Sequence, residues 1–307
     1  MRIAVIDLGT NTLLMTVAEI ERNKEIKSLL ELKETPRMGE NVDKTQRISP
    51  VGARRVLKNL RNFKKQALKL QVERIILIGT AALREAQNAR DIKNLIQIET
   101  GLKLEIISGN KEAEFTYLGA TADFRERSKK FILLDIGGGS TEVITGTPHN
   151  ILRLKSLNIG SLKMTERFLR NKEGLSKMLK FINGRFSPLK KNFDMRNSLL
   201  IGSGGTNTTM GALSLNLRKY EKDRVHGLVI SIKKINFVLE KLKNMSLVQR
   251  KEFMKVDPQR ADIIIAGTII LREFMKRFGF EDMVISDKSL RWGVLEQVRA
   301  GLYHKGA

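Results

Sequence analysis

The 307-residue chain contains no cysteine. That one absence removes disulfides, thiolate nucleophiles and Cys-based metal sites together, and it suits a reducing compartment. Histidine is nearly as scarce. His149, His226 and His304 are the only ones, and no two are close enough in sequence to suggest a local zinc motif. No GxSxG nucleophile elbow occurs. Aromatic residues make up only 6%, and there is no helix-turn-helix or RNP signature, so a specific nucleic-acid partner is not expected. The longest apolar runs, such as Ile263 to Ala266, fall far short of the ~20 residues that span a bilayer. No charged-then-apolar leader precedes the opening MRIAVIDLG. The expectation is a cytoplasmic protein with no membrane partner. Acidic residues are also in deficit, 33 against 56 Lys and Arg, giving a formal net charge of +23. Such a surface either concentrates polyanions or is simply rich in solvated lysine.

What is present reads as an ordinary globular chain, long enough for two domains at about 150 residues each. Ile3 to Leu8 is a strand by length and β-branching, and Thr12 to Ile20 its hairpin partner. One or two short strands are expected around Ile26 to Leu32. Ser49-Pro50 has the form of an N-cap with proline at the first helical position. From there Val56, Leu60, Phe63, Ala67 and Leu70 recur at helical spacing. Arg74 to Ile78 is a buried strand, Ala81 to Ala86 and Ala89 to Thr100 are helical, Leu104 to Ile107 is a strand, and Glu112 to Ala122 a helix. A second start follows at Phe131, after the basic stretch Arg125 to Lys130, which is the candidate linker between domains 1–125 and 126–307. It continues through an amphipathic stretch from Ser161 to Phe181 and a strand at Leu199 to Ile201. Helices at Ile232 to Met245 and Arg260 to Phe278, a strand at Met283 to Ser286 and a helix at Leu290 to Leu302 complete it. Strand and helix alternate throughout, so the class is α/β.

The second start repeats the first. Val5-Ile6-Asp7-Leu8-Gly9-Thr10-Asn11-Thr12 aligns with Leu133-Leu134-Asp135-Ile136-Gly137-Gly138-Gly139-Ser140 at an offset of 128 residues, 135 − 7. Each copy is an apolar strand, an Asp, an aliphatic residue, Gly, and three small or polar residues. The repeat implies a duplicated domain, with ligand expected between the copies.

Glycine-rich turns let backbone N–H groups converge on phosphate oxygens. Thr10, Asn11, Thr12, Ser140 and Thr141 add side-chain donors around Gly137, Gly138 and Gly139. A third glycine-rich turn, Gly202 to Thr206, follows another short strand and offers Gly204, Gly205 and Thr206. Asp7 and Asp135 end buried strands, where a carboxylate needs a cation or donors. The matched pair either binds Mg²⁺ or caps the two turns. Arg84 and Arg37 lie beside turns, where a guanidinium fork suits phosphate. Glu112, at the start of a helix, either serves as a base or complements the helix dipole.

Seven segments resemble one family: DLGTNT at 7–12, GTAALREAQNARD at 79–91, ISGNKEAE at 107–114, DIGGGSTE at 135–142, IGSGGTNTT at 201–209, VHG at 225–227 and SDKSLRWGVL at 286–295. Together they resemble the exopolyphosphatase and guanosine pentaphosphatase family over nearly the whole chain, in its short two-domain form. The resemblance implies the duplicated, ribonuclease H-like fold of acetate and sugar kinases, heat-shock chaperone ATPases and actin. It puts the catalytic base on Glu112, phosphate loops on 7–12 and 135–141, and the phosphate-gripping arginine on Arg84. Metal carboxylates fall on Asp135 and Glu142, with Asp7 as their counterpart. The chain departs from the family pattern at Glu114, Ser289 and Trp292, the last two of which are expected to concern packing of the second domain.

The implied reaction is in-line attack of water on the terminal phosphorus of polyphosphate or guanosine pentaphosphate, assisted by Mg²⁺ or Mn²⁺ and carried by positioning and electrostatics. A homodimer is expected on base rate. Two other readings use the same loops: a phosphotransferase that needs an acceptor, and a non-catalytic sensor of polyphosphate or guanosine tetraphosphate.

Overall fold

The computed structural model describes residues 1–21, 25–148, 150–170 and 174–303. His149, His304 and residues 171–173 of the expected amphipathic stretch lie outside the described residues.

The chain forms two compact units. One comprises Met1–Gly119 together with Leu290–Ala307, the other Ala120–Ser289. Arg125 to Lys130 is therefore not the junction, and the second domain does not run to the end of the chain. The last helix returns to the first unit because its apolar face has its partners there, as described below.

The first unit is built on a five-stranded sheet ordered β3-β2-β1-β4-β5, from β1 Arg2–Leu8, β2 Leu13–Ile20, β3 Ile26–Glu34, β4 Arg74–Gly79 and β5 Leu104–Ile106. The first three strands form an antiparallel meander, and β4 and β5 add in parallel beside β1. Helix α1, Pro50–Lys69, starts at the expected cap: the Ser49 hydroxyl accepts from the Gly52 N–H at 3.0 Å. It buries Val56, Leu60, Phe63 and Ala67, and each large side chain contributes roughly 1.5–3 kcal/mol by leaving water. Helices α2, Ala81–Glu85, α3, Ala89–Thr100, and α4, Gly109–Thr121, follow their strands.

The second unit repeats the plan. Its strands are β6 Phe131–Ile136, β7 Thr141–Gly146, β8 Ile151–Leu157, β9 Leu199–Ser203, β10 Val229–Ser231 and β11 Asp282–Ile285. Their order is β10-β11-β9-β6-β7-β8. Read from β8 to β11, this is the order and direction of the first sheet, with β10 added antiparallel at the edge. The actin-like duplication implied by the sequence is thus present in topology, not only in a turn. Helices α5 Gly174–Phe186, α6 Gly204–Ser214, α7 Ile232–Lys243 and α8 Ile264–Phe278 pack on this sheet around Ile132, Leu134, Ile269 and Phe274.

Helix α9, Leu290–Arg299, lays Leu290, Trp292, Val294 and Leu295 against Ile3, Val5 and Phe115 in the first unit. Trp292 therefore concerns packing of the first unit, not the second. Gly293 permits a close approach that no side chain would. A Cβ there would lie 1.7 Å from the Phe115 carbonyl oxygen of α4. The Arg291 Nη1 donates to the Thr16 hydroxyl on β2.

The expected helix from Arg260 begins only at Ile264, preceded by a tight turn at Pro258–Arg260. The expected continuous segment from Ser161 also breaks up. A short helix, Ser161–Met164, passes into a wide turn at Thr165–Leu169, and α5 begins at Gly174, whose φ is +85°.

Candidate active site

In the first unit, the strand-end turn is closed by the Gly9 N–H donating to the Thr12 carbonyl at 2.9 Å. A later segment, residues 36–39, runs alongside it: Arg37 N–H donates to the Asn11 carbonyl at 3.1 Å and Gly39 N–H to the Thr10 carbonyl at 2.8 Å. Gly39 is needed for this fit, since a Cβ would fall 2.3 Å from Thr10 Cγ2 and 3.0 Å from Ala82 Cβ on α2. Arg55 of α1 clamps the segment by donating to the Pro36 carbonyl at 2.5 Å and the Arg37 carbonyl at 3.1 Å. The sequence-predicted residues Thr10, Asn11, Thr12 and Arg37 are therefore brought together.

Asn11 lies buried within this turn. Its side chain is 2% exposed, and among the described residues neither its amide oxygen nor its amide nitrogen has a hydrogen-bond partner. Buried amides left so are rare, because the loss of water costs free energy unless something replaces it.

Glu112 and Arg84 meet in the same unit. The Arg84 Nη1 donates to the Glu112 Oε2 at 2.5 Å and to the Ile107 carbonyl at 3.2 Å. The Ile107 N–H in turn donates to the Gly79 carbonyl at 3.1 Å, tying the loop before α4 to the end of β4. Both side chains are largely enclosed, at 22% and 14% exposure. Burial pushes the Glu112 carboxyl up from its ordinary range, and the Arg84 charge and hydrogen bond oppose that rise. A carboxylate poised in this way is a suitable proton acceptor. Arg84 makes both contacts with Nη1. Glu114, two residues on, pairs with Lys111 at 3.1 Å.

In the second unit, the matching turn is closed by the Gly137 N–H donating to the Ser140 carbonyl at 3.0 Å. It too has a later segment beside it. The N–H groups of Ser161 and Leu162 donate to the carbonyls of Gly137 and Gly138 at 2.9 and 3.0 Å. Gly160 sits so close that a Cβ would lie 2.4 Å from the Gly138 carbonyl oxygen. Thr141 does not present its hydroxyl to a ligand. It is fully buried and donates to the Ile159 carbonyl at 2.7 Å, so it fixes the turn instead.

The third glycine run is not a turn like the other two. Strand β9 passes directly into α6, and Gly204 makes that possible with φ +81°. A Cβ at Gly204 would lie 2.1 Å from the Asp135 Oδ1. Gly205 lies under the Arg260 guanidinium, where a Cβ would come within 2.0 Å of Nη2. Arg260 is 5% exposed and pairs with Asp257 at 3.0 Å. Sequence reasoning missed Arg260, because nothing in DPQRAD marks it until the fold lays it on Gly205. Thr206 faces inward: a Cβ at Gly267 on α8 would lie 2.5 Å from its hydroxyl.

Asp135 and Glu142 stand directly opposite one another in the β6–β7 register, and therefore on one face. Glu142 is 2% exposed and accepts from the Ser156 hydroxyl at 2.7 Å. Like charges directly opposed across strands are unfavourable unless a cation lies near. Mg²⁺ typically takes one or two carboxylates and fills its shell with water and substrate phosphate, so this pair fits a hard divalent ion. Among the described residues no cluster of three or more His, Asp or Glu side chains forms a self-sufficient metal cage. Asp7 differs, since Leu14 stands opposite it.

The chain matches the model of the Ppx/GppA phosphatase family over residues 16–299. It is 32% identical over 96% of its length to a bifunctional 3-dehydroquinate synthase/phosphatase of Fusobacterium nucleatum, of which it spans 46%. It is 27% identical to Exopolyphosphatase 2 of Mycobacterium tuberculosis, covering 95% of this chain and 97% of that one. Among solved structures, an exopolyphosphatase from Cytophaga hutchinsonii shares 25% identity with a TM-score of 0.91 over 99% of both chains. The Aquifex aeolicus Ppx/GppA family member shares 29% with a TM-score of 0.80, again over 99% of both. The family match runs from the second strand to the last helix and takes in Arg84, Glu112, Asp135, Glu142 and Gly205: the chain belongs to the Ppx/GppA phosphatase family.

Proposed function

We infer that the chain is a phosphoanhydride hydrolase that removes the terminal phosphate of inorganic polyphosphate. The buried Arg84–Glu112 pair carries this reading. It supplies a carboxylate able to accept a proton, with guanidinium nitrogens beside it for phosphate oxygens. Asn11, whose buried amide has no partner among the described residues, supports a polar ligand at its turn. Several relatives of similar length are named exopolyphosphatases.

In the reaction, Glu112 accepts a proton from water as the water oxygen bonds to the terminal phosphorus. The bridging P–O bond breaks, giving orthophosphate and a chain one unit shorter. Arg84 and the N–H groups of the turns hold equatorial oxygens, and this positioning supplies most of the catalysis expected for phosphoryl transfer. Asp135 and Glu142 would hold Mg²⁺ or Mn²⁺, which supplies charge neutralisation when bound.

The test is phosphate release from tripolyphosphate, long-chain polyphosphate and guanosine pentaphosphate, each with Mg²⁺ and with chelator. Release from polyphosphate to water, without an added acceptor, is the expected result. Turnover that requires ADP would make the chain a transferase. Release from guanosine pentaphosphate alone would move the substrate to nucleotides. Tight binding with no turnover would leave a sensor.

A further inference from the structure

The second unit contains a basic cavity at the end of its sheet opposite to the glycine turn. Its volume is about 670 Å³. Lys130 and Phe131, at the start of β6, line it, together with Arg153 on β8 and Lys190, Lys191 and Arg196 in the segment that leads into β9. The turn at Gly137 follows the other end of β6. Six residues of strand put the two about 20 Å apart.

The lining contributes five cations and one carboxylate, Asp194. Two of the cations already engage that carboxylate. Lys130 Nζ lies 3.0 Å from Oδ2 and Arg196 Nε 3.1 Å from Oδ1. Their hydrogen bonds, that of Lys130 first, hold Asp194 well below the usual carboxylate range. Arg153, Lys190 and Lys191 are exposed on the rim with no further acidic side chain in the lining. The floor offers no free aromatic platform for a base: Phe278 packs on Phe274 at 4.7 Å between ring centroids, and Phe193 packs on the core. Cations spread around an open rim, without a stacking surface, suit a flexible linear polyanion better than a nucleotide or a single-stranded nucleic acid, whose bases call for stacking.

We propose that this cavity is a second binding site for polyphosphate, holding an internal stretch of a long chain away from the turns where hydrolysis occurs. The proposal rests on the reading of the chain as acting on polyphosphate. Its consequence is selectivity by length. A chain held at the cavity keeps its end at high effective concentration, whereas a chain too short to cover the ~20 Å of strand between the two sites gains nothing.

The test compares the full chain with the triple variant Arg153→Glu, Lys190→Glu, Lys191→Glu and its triple-alanine counterpart, which carries less charge change if folding suffers. For long-chain polyphosphate, KM should rise about tenfold with kcat unchanged, while both constants for tripolyphosphate stay as in the unmodified protein. An unchanged KM for the long chain would overturn the proposal, as would an equal rise for tripolyphosphate, which marks a general loss of positive field. Direct binding of long-chain polyphosphate decides the matter separately from turnover. If the unmodified protein hydrolyses no polyphosphate, the functional reading fails. The cavity then stands if the triple variant binds the long chain at least tenfold more weakly, and falls if it binds equally. Single-stranded DNA of equal charge that displaces polyphosphate one for one at 150 mM salt would reassign the cavity to nucleic acid.

Discussion

Asp7 and Asp135 hold the same place in their respective sheets, each ahead of a turn closed by a glycine N–H. Across the neighbouring strand they face different residues, Leu14 in the first unit and Glu142 in the second. The turns differ in the same spirit. The first places Thr10 and Asn11 where the second has Gly138 and Gly139, so one offers side-chain groups and the other bare backbone. The first unit also carries Glu112, the proposed base, and its partner Arg84, with no counterpart pair among the described residues of the second. Duplication has supplied two similar frames, and divergence has put the Arg84–Glu112 pair in one and the opposed carboxylates in the other.

Four substitutions test that division. The largest effect is expected from Glu112→Gln. Phosphate release should fall by roughly 10³-fold, the middle of the range for losing a general base, with substrate binding retained. Near-normal turnover would remove Glu112 from the chemistry. Glu142→Gln belongs to the other half and should fail differently. Its loss, on the order of 10²-fold, should be partly recovered by raising Mg²⁺, a recovery that Glu112→Gln should not show. If both variants respond alike to Mg²⁺, the two halves do not divide the work.

Gly293→Ala probes stability. A methyl group against the Phe115 carbonyl of α4 should cost about 3 kcal/mol and fall on the first unit alone. Calorimetry should show one transition moving down while the other stays. A single undivided shift would mean that the units unfold together. The smallest effect concerns pH. Burial raises the Glu112 carboxyl above its ordinary 4.5 and Arg84 restrains that rise. Activity should therefore fall, as pH drops, through a value above 4.5. With Arg84→Ala the restraint goes, so the acid limb should move to still higher pH, on top of a lower kcat/KM. A limb that moves down would assign the titration to another group.

Much of this was legible in the sequence. The offset repeat revealed the duplication, because strand, Asp and glycine turn recur in the same order, and helix α1 showed itself by apolar spacing and its Ser-Pro cap. Glu112 and Arg84 could be picked out together because each lies within a few residues of a strand end, and the fold brings the two into contact. What stayed hidden depends on contacts between distant parts of the chain. Arg260 matters only once the turn ahead of α8 lays it over Gly205. Gly39 and Gly160 look like ordinary loop glycines until their segments return beside the turns. Thr141 looked like a phosphate donor because its neighbours do, yet its hydroxyl is committed to Ile159. The return of α9 to the first unit was hidden for the same reason: its apolar face says that it is buried, not against what.

That return has a consequence for how the molecule comes to exist. The first unit is interrupted by the whole of the second and completed only by residues 290–299. On a ribosome, the sheet that begins the chain waits for α9 to join Ile3 and Val5 until the whole of the second unit has been made. The second unit has no such dependence and can finish first. The helix bearing Glu112 packs against that late arrival at Gly293, so α4 gains its full support only after the second unit has been made.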